Sequence, residues 1–364
     1  MKRPSKYSLL GLLSAVLFSL ATPLSKILLF ELNEFLLAGL LYVGSALGLL
    51  PIVLKNKQLN VFSLMKDHPG EKKRVAFSII FGGILGPVLF LFGLQFLRAG
   101  SVSIWLNMEL AATALLGILF FKESLDKTGK LAIGFMIGAG VVISINEGIA
   151  SVLPAGLVVL ACFCWAIDNH ATGLIQVLSP SQITIIKGLF AGSFNILIGV
   201  LLLDKSLIDI QRTSIIAALI VGSFSYGLSI VFYVLSAQQI GATRAQILFS
   251  SAPILGLLFS ALILGEILLP IHLIAIILTI IGIYYSSKTT HEHFHLHLPL
   301  KHMHEHIHTD KHHNHSHDQD QDCSKAHFHS HLHEEQEHTH THFPDLHHRH
   351  HSKNSNRKSS DLDA

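Results

Sequence analysis

The chain reads as an all-α integral membrane protein of ten transmembrane helices arranged as a five-plus-five inverted repeat, followed by a disordered histidine-rich tail, and three observations carry that reading. Apolar runs of membrane-spanning length recur ten times between Ser8 and about Ser286, where a bilayer core needs about 20 apolar residues per helix. Of the 364 residues 50% are hydrophobic and 14% charged, with mean hydropathy +0.51, against roughly 25% charged in an average soluble domain. The charges that remain sit in the connections and sort by side.

Taken in order, the spans run from Ser8 to Phe30, Phe35 to Leu54, Val75 to Leu97, Val102 to Phe121, Lys130 to Ile145, Pro154 to Ile175, Ser181 to Leu203, Ile215 to Ala237, Ala242 to Leu264 and Ile267 to Ser286. Lys2, Arg3 and Lys6 precede the first; Lys55, Lys57, Lys66, Lys72, Lys73 and Arg74 fill the second connection; Lys122, Lys127 and Lys130 fill the fourth. The alternate connections hold Glu31 and Glu34, Arg98, Glu147, a mixed group from Asp204 to Arg212, and Glu266. The lysine-rich side faces the cytoplasm by the positive-inside rule, and an even helix count then puts both termini there, in the cytoplasmic membrane. The basic start resembles a secretory signal peptide, but the first run exceeds a signal core, lacks a small-x-small cleavage site and opens a recurring pattern.

The ten runs divide into two fives, residues 1–147 and 148–286, ahead of a tail from 287 to 364. Gly11 to Ala21 aligns without a gap with Gly156 to Ala166; Gly44-Ser45 matches Gly192-Ser193; Phe121-Lys-Glu123 matches Leu264-Gly-Glu266; Gly138 and Gly140 find Gly282. Five is odd, so the second copy enters the membrane inverted, which places a pathway at the interface of the halves near the midplane.

Trp165-Ala166 in the sixth run, Lys187 near the start of the seventh, Pro253 in the ninth, and Glu123 and Glu266 after the fourth and ninth make the chain resemble the drug/metabolite transporter superfamily, and within it the EamA-type permeases. The resemblance covers residues 8 to 286. It implies export or exchange of small solutes, with helices one to four and six to nine around a central cavity and helices five and ten outside. Two departures stand out: Gly39 occupies the neighbourhood where the family often has a basic residue, and Glu109-Leu110 that of the usual proline of helix four.

An ionisable group at the bilayer centre costs about 2.5–3.5 kcal/mol on insertion scales, so one that persists faces a cavity or a partner. Glu109, beside Asn107 and after Trp105, is the sharpest case: a carboxyl bonded between helices, or one that binds a cation or relays a proton. Asp168 and Asn169 lie deep in the sixth run, and Cys164 shares a helix face with Asp168; two such groups are a weak metal signal, and cavity lining is the better reading. Lys187 either snorkels or turns inward to pair with Asp168 or Glu109. Arg244 near Gln246, and Lys26, are expected to snorkel. The substrate-pathway set is therefore Glu109, Asn107, Asp168, Asn169, Lys187, Trp105 and Gln246. Cys162 and Cys164 read as small packing residues, and no cofactor is required.

Of 26 histidines only His68, His170 and His272 precede His291. The rest alternate with other residues: His291, His293, His295 and His297; His302, His304, His306 and His308; His312, His313, His315 and His317; His327, His329, His331 and His333; then His338, His340, His342 and a last group from His347 to His351. With so few apolar residues no core offsets chain entropy, while neutral imidazole suits Zn, Ni, Co and Cu through interchangeable ligand subsets. The partners implied are the lipid bilayer, a small-molecule substrate and such ions, with no nucleic acid; a homodimer is an assembly the sequence leaves open. The membrane part offers no dense ligand cluster, so the leading expectation is a secondary carrier for a small organic metabolite, ahead of a transition-metal exporter and a membrane-bound metal sensor. An enzyme has least support: no nucleophile elbow, phosphate-cradling glycine loop or helical metal motif is present.

Overall fold

The computed structural model describes residues 6–55, 65, 69–121, 127–175, 177–203, 210–240, 245, 248–287, 291–297, 300–306, 327–333 and 336–342. Each apolar run becomes a helix or a stack of two or three helical pieces. We number them α1 (Lys6–Ser19 continued by Ala21–Leu28), α2 (Glu34–Lys55), α3 (Pro69–Phe77, Ser78–Leu85 and Gly86–Phe96), α4 (Ala99–Trp105 and Met108–Phe121), α5 (Lys127–Glu147), α6 (Val152–Gly173), α7 (Pro180–Leu201), α8 (Arg212–Val221, Gly222–Leu228 and Ser229–Ile240), α9 (Ala252–Leu264) and α10 (Pro270–Ser287). Among the described residues eight are long and apolar enough to cross a bilayer; Ala252–Leu264 and Pro270–Tyr285 are shorter. The ninth run was expected from Ala242, but its unbroken helix begins at Ala252 because Pro253 fits only the first turn of a helix. Leu9, Phe30, Phe96, Ile145, Leu201 and Leu262 stand exposed on the outer surface, the belt that a spanning bundle presents to lipid.

The middles of α3 and α8 are wound as π-helix, and these deformations begin at Ser78 and Gly222, 144 positions apart. The breaks of α4 at Leu106–Asn107 and of α9 at Ser250–Ser251 keep that same offset of 144. A π turn frees backbone carbonyls, which must find donors inside the protein because lipid supplies none. The Tyr42 hydroxyl donates to the Gly82 carbonyl, and Asn195 Nδ2 donates to the Gly83 carbonyl at 3.1 Å.

Corresponding helices of the two halves lie against one another in opposite directions. Along α2 and α7, Leu36 meets Gly199, Gly39 meets Gly192 and Ile196, and Ala46 meets Gly188. Along α4 and α9, Gly100 meets Ser260 and Ser103 meets Gly256; along α5 and α10, Ala132 and Met136 meet Gly282 while Gly138 meets Leu278. Glycine at these seams lets backbones approach; a Cβ on Gly39 would stand 2.6 Å from the Ile196 backbone nitrogen. Packing also exchanges members between the halves: α6 lies on α3 and α4, and α1 lies on α8 and α9. Two interleaved bundles result, α3/α4/α6 and α1/α8/α9. The outer half of α1, Ala21–Leu28, additionally meets α3 and α4, where Lys6–Ser19 packs on α8 and α9.

Local signals end the helices where expected. Ser179 and Gln182 form a reciprocal capping box at the start of α7, and Gly265 closes α9 at φ 67, a conformation that suits glycine.

The tail is a separate compact unit, Thr290–Phe343. The sequence leads us to expect no regular structure there, yet four segments are extended. β1 (His291–His297) pairs antiparallel with β4 (Gln336–His342), and β2 (Leu300–His306) with β3 (His327–His333). All four segments carry histidine at every second position, the repeat of an extended strand.

Candidate functional site

A buried polar cluster of the membrane domain is built on Asp168, five residues before the end of α6. Its Oδ1 accepts the Ser78 hydroxyl at 2.5 Å and its Oδ2 accepts the Lys187 ammonium at 2.5 Å, with 13% of the Lys187 side chain and 10% of the Asp168 side chain exposed. Ser78 opens the π turn of α3 and Lys187 lies two turns into α7, so three helices converge on one carboxylate. Gly82 makes this approach possible, since a Cβ there would strike the Asp168 carboxylate. Four residues on, Gly86 leaves room for the Trp165 indole, which lies 5.7 Å from the Phe90 ring.

Asn169, next along α6, turns to α4 and donates to Glu109 Oε1 at 2.8 Å. Glu109 stands in the first turn of the half-helix Met108–Phe121, just past the break; its own carbonyl accepts the Thr113 hydroxyl at 2.8 Å. His170 Nε2 is 3.0 Å from the Thr113 carbonyl. Asp168, Lys187, Glu109 and Asn169 are thus brought into one polar strip beside a discontinuous helix, the setting in which transporters of inverted-repeat build handle solutes.

Other members of the sequence-derived set go elsewhere. The Trp105 ring packs against Gly140 of α5, and Asn107 donates to the Ile104 carbonyl at 3.0 Å and to Thr279 of α10 at 3.5 Å. Both therefore face the peripheral pair α5/α10 and not the Asp168 strip. Gln246, and with it Arg244, lies outside the described residues. Both oxygens of Asp168 are engaged, and Cys162 and Cys164 are buried free thiols. Among the described residues no group of three or more His, Cys, Asp or Glu could hold a metal ion. The tail histidines at 308, 312, 313, 315 and 317 lie outside the description. The remaining ones of the metal set occupy β1, β2 and β3.

Two residues escaped the sequence. Ser78 carried no signal, because nothing in Ser78-Ile-Ile-Phe-Gly-Gly announces a π turn. Tyr42 likewise carries no local signal, and its neighbour Tyr226, 6.0 Å away between ring centres, comes from α8.

A second polar cluster closes the opposite end. The Lys26 ammonium, expected to reach the headgroups, instead turns inward and donates to the carbonyls of Leu94, Gln95 and Leu97 at 2.7, 2.8 and 2.9 Å. These are the unpaired carbonyls at the end of α3, where a cation is favoured. The Glu266 carboxylate receives the backbone N–H groups of Ala99 and Gly100 at 2.7 and 2.9 Å, capping α4 from the other half of the chain. Arg98 donates to the Ile267 carbonyl at 2.8 Å. Alongside, a cavity of about 640 Å³ is lined by Phe96, Arg98, Glu147, Ser151 and Pro154 among others.

With this geometry in view, the comparison with known families is decisive: the model of the EamA-like transporter family matches twice, over residues 5–145 and 153–288. The chain belongs to the EamA-like transporter family. A relative from Methanothermobacter thermautotrophicus, described as an uncharacterized transporter, is 28% identical over 271 residues, which cover 70% of this chain and 78% of that one. A solved structure, described only as the crystal structure of a protein, shares the fold with TM-score 0.57 at 14% identity, covering 78% of this chain and 96% of its own. The EamA-like chain is accordingly a multi-pass membrane transporter, with lipid and small solutes as its surroundings and cargo.

Proposed function

We propose that this transporter is a secondary carrier that moves a small organic metabolite across the cytoplasmic membrane by alternating access. In this reading both termini are cytoplasmic and the route passes Asp168, Lys187, Glu109 and Asn169. The observation that carries it is the buried Asp168, held at once by Ser78 from the first half and Lys187 from the second. A buried ion pair contributes little net stability compared with an apolar isostere, so its presence where the halves meet favours a role in handling a charged or zwitterionic solute. Such a solute would replace one partner of the pair by its own group of like sign. The tail, in the same reading, binds Zn, Ni, Co or Cu through its histidines, and the carrier itself needs no cofactor.

The test is flux of a panel of amino acids, organic cations and divalent metals into vesicles, comparing the intact chain with one ending at Ser287. We expect an organic solute to be carried by both forms and metal binding to be lost with the tail. Metal flux that disappears on truncation, with no organic solute carried, would reverse the assignment in favour of a transition-metal exporter. Glu109→Gln is expected to impair flux of the solute that the parent carries, since the amide is a weaker acceptor for Asn169 and carries no charge; unchanged flux would remove Glu109 from the route.

A further inference from the structure

The polar contacts at the end of the bundle that holds Arg98, Glu147 and Glu266 share a property the individual bonds do not display. The contacts of Lys26, Glu266 and Arg98 each join the α3/α4/α6 bundle to α1 or to the chain just after α9. Lys26 belongs to α1 and holds the last carbonyls of α3; Glu266 follows α9 and holds the first amides of α4; Arg98, between α3 and α4, holds the Ile267 carbonyl after Glu266. The fit is close, because Gly100 admits the Glu266 carboxylate where a Cβ would stand 3.0 Å from Oε2 and 2.5 Å from Leu257 Cδ1. Charge matches helix polarity at both points, a cation on a helix C-terminus and a carboxylate on a helix N-terminus. Ser25, one residue before Lys26, is fully buried at this end, whereas Asn169 towards the other end of α6 is exposed.

We infer that Lys26 and Glu266 are gating residues: together they form a latch that holds the two interleaved bundles closed at this end, and the carrier opens there only when both helix caps let go. The inference rests on the alternating-access reading above and adds to it the contacts that set which end is shut. Helix capping is ordinarily a local affair between neighbours in sequence. Here the caps span 68 to 71 residues for Lys26 and 166 to 167 for Glu266, so they resist separation of bodies and not merely fraying of an end.

The experiment uses the full chain in liposomes with Cys162→Ala, Cys164→Ala and Cys323→Ser, carrying one reporter thiol at a time, Ser25→Cys or Asn169→Cys. A hydrophilic maleimide then reads exposure at each end. Lys26→Met and Glu266→Gln are each expected to speed modification at Ser25→Cys about fivefold, the population shift that loss of one cap represents, and to slow modification at Asn169→Cys. Lys26→Arg, which keeps the cation, should leave both rates near the parent's. Rates that stay unchanged in both variants would overturn the latch, as would a parallel rise at both reporters, which means loosened packing. Failure of the carrier reading shows separately, as absence of solute flux in the unsubstituted chain, a measurement these labelling rates do not use.

Discussion

Replacing Lys187 by Met keeps the length of the side chain and removes its ammonium. Asp168 is then left with Ser78 alone, at a position where 10% of its side chain is exposed. Removing one member of a buried pair costs about 3–5 kcal/mol, because the other charge stays desolvated without its partner; the retained Ser78 bond places the expectation at the lower end, about 3 kcal/mol. For a chain of this size, at about 2.1 cal/mol/K of unfolding entropy per residue, that corresponds to a fall in Tm of roughly 4 °C. Adding Asp168→Asn removes the orphaned charge as well, and the double variant should return to within about 1 kcal/mol of the parent, since replacing both members together is often neutral. The assay is thermal unfolding of the four proteins of this cycle in detergent, followed by solute flux after reconstitution. We expect the double variant to be stable and inactive, which separates the structural from the functional contribution of the pair. Additive costs for the two single changes would refute the reasoning, as would a Lys187→Met protein that melts with the parent.

Gly82→Ala should reproduce much of the Lys187→Met phenotype, because its methyl would displace the Asp168 carboxylate, at a cost of about 1–3 kcal/mol; Gly134→Ala, with nothing within 4 Å of the added methyl, should be neutral or stabilise by up to about 1 kcal/mol, and the two melting points compared under identical conditions check both. Glu147 lies beyond the membrane-spanning part of α5, and burial pushes its carboxyl above the usual range, opposed by Ser101 and Arg98 nearby. A raised folded pKa means that the folded protein holds the proton more tightly than the unfolded chain. The resulting stability is therefore present below the ordinary carboxyl range and is lost as pH rises through the raised value; melting curves between pH 4 and 7 should show this slope, and Glu147→Gln should flatten it. Truncation after Ser287 should abolish retention of the purified chain on immobilised Ni²⁺, and retention that survives would place the metal ligands in the membrane domain.

Much of the fold was legible because hydropathy at this strength has few structural solutions. The seventh run, read as Ser181 to Leu203, is the helix Pro180–Leu201, and the Ser179-Pro-Ser-Gln182 start that caps it stands in the sequence. The tenth run, expected from Ile267, forms a helix only from Pro270, since Ile267, Leu268 and Leu269 are apolar but outside the helix; hydropathy does not distinguish a helix from the apolar chain that leads into it. The break of α4 was hidden for a related reason, as Trp105-Leu-Asn-Met-Glu109 contains no proline or glycine and its interruption depends on neighbouring helices. At the site, inward pairing of Lys187 with Asp168 was one of two stated readings, and periodicity along a single helix could not choose between them. Trp105 and Asn107 were grouped with Glu109 by proximity in sequence, yet residues two and four apart on a broken helix need not share a face. The snorkelling expected of Lys26 takes the headgroups as its polar partner, whereas the end of α3 offers it three carbonyls within the protein.

The matched offset of the π turns and helix breaks invites a further comparison. The two copies deform alike, but the ionised side chains do not follow. Aligned helix by helix, Pro23 stands opposite Asp168 and Gly39 opposite Lys187, and at the offset of 144 Pro253 stands opposite Glu109. A scaffold with near twofold regularity thus surrounds a lopsided electrostatic interior, so a bound solute would sit off the axis and meet different chemistry on its two flanks. In the alternating-access reading, interchanging the backbones of the copies would generate the oppositely facing conformer, while Asp168, Asn169 and Glu109 would stay with α4 and α6 and Lys187 with α7.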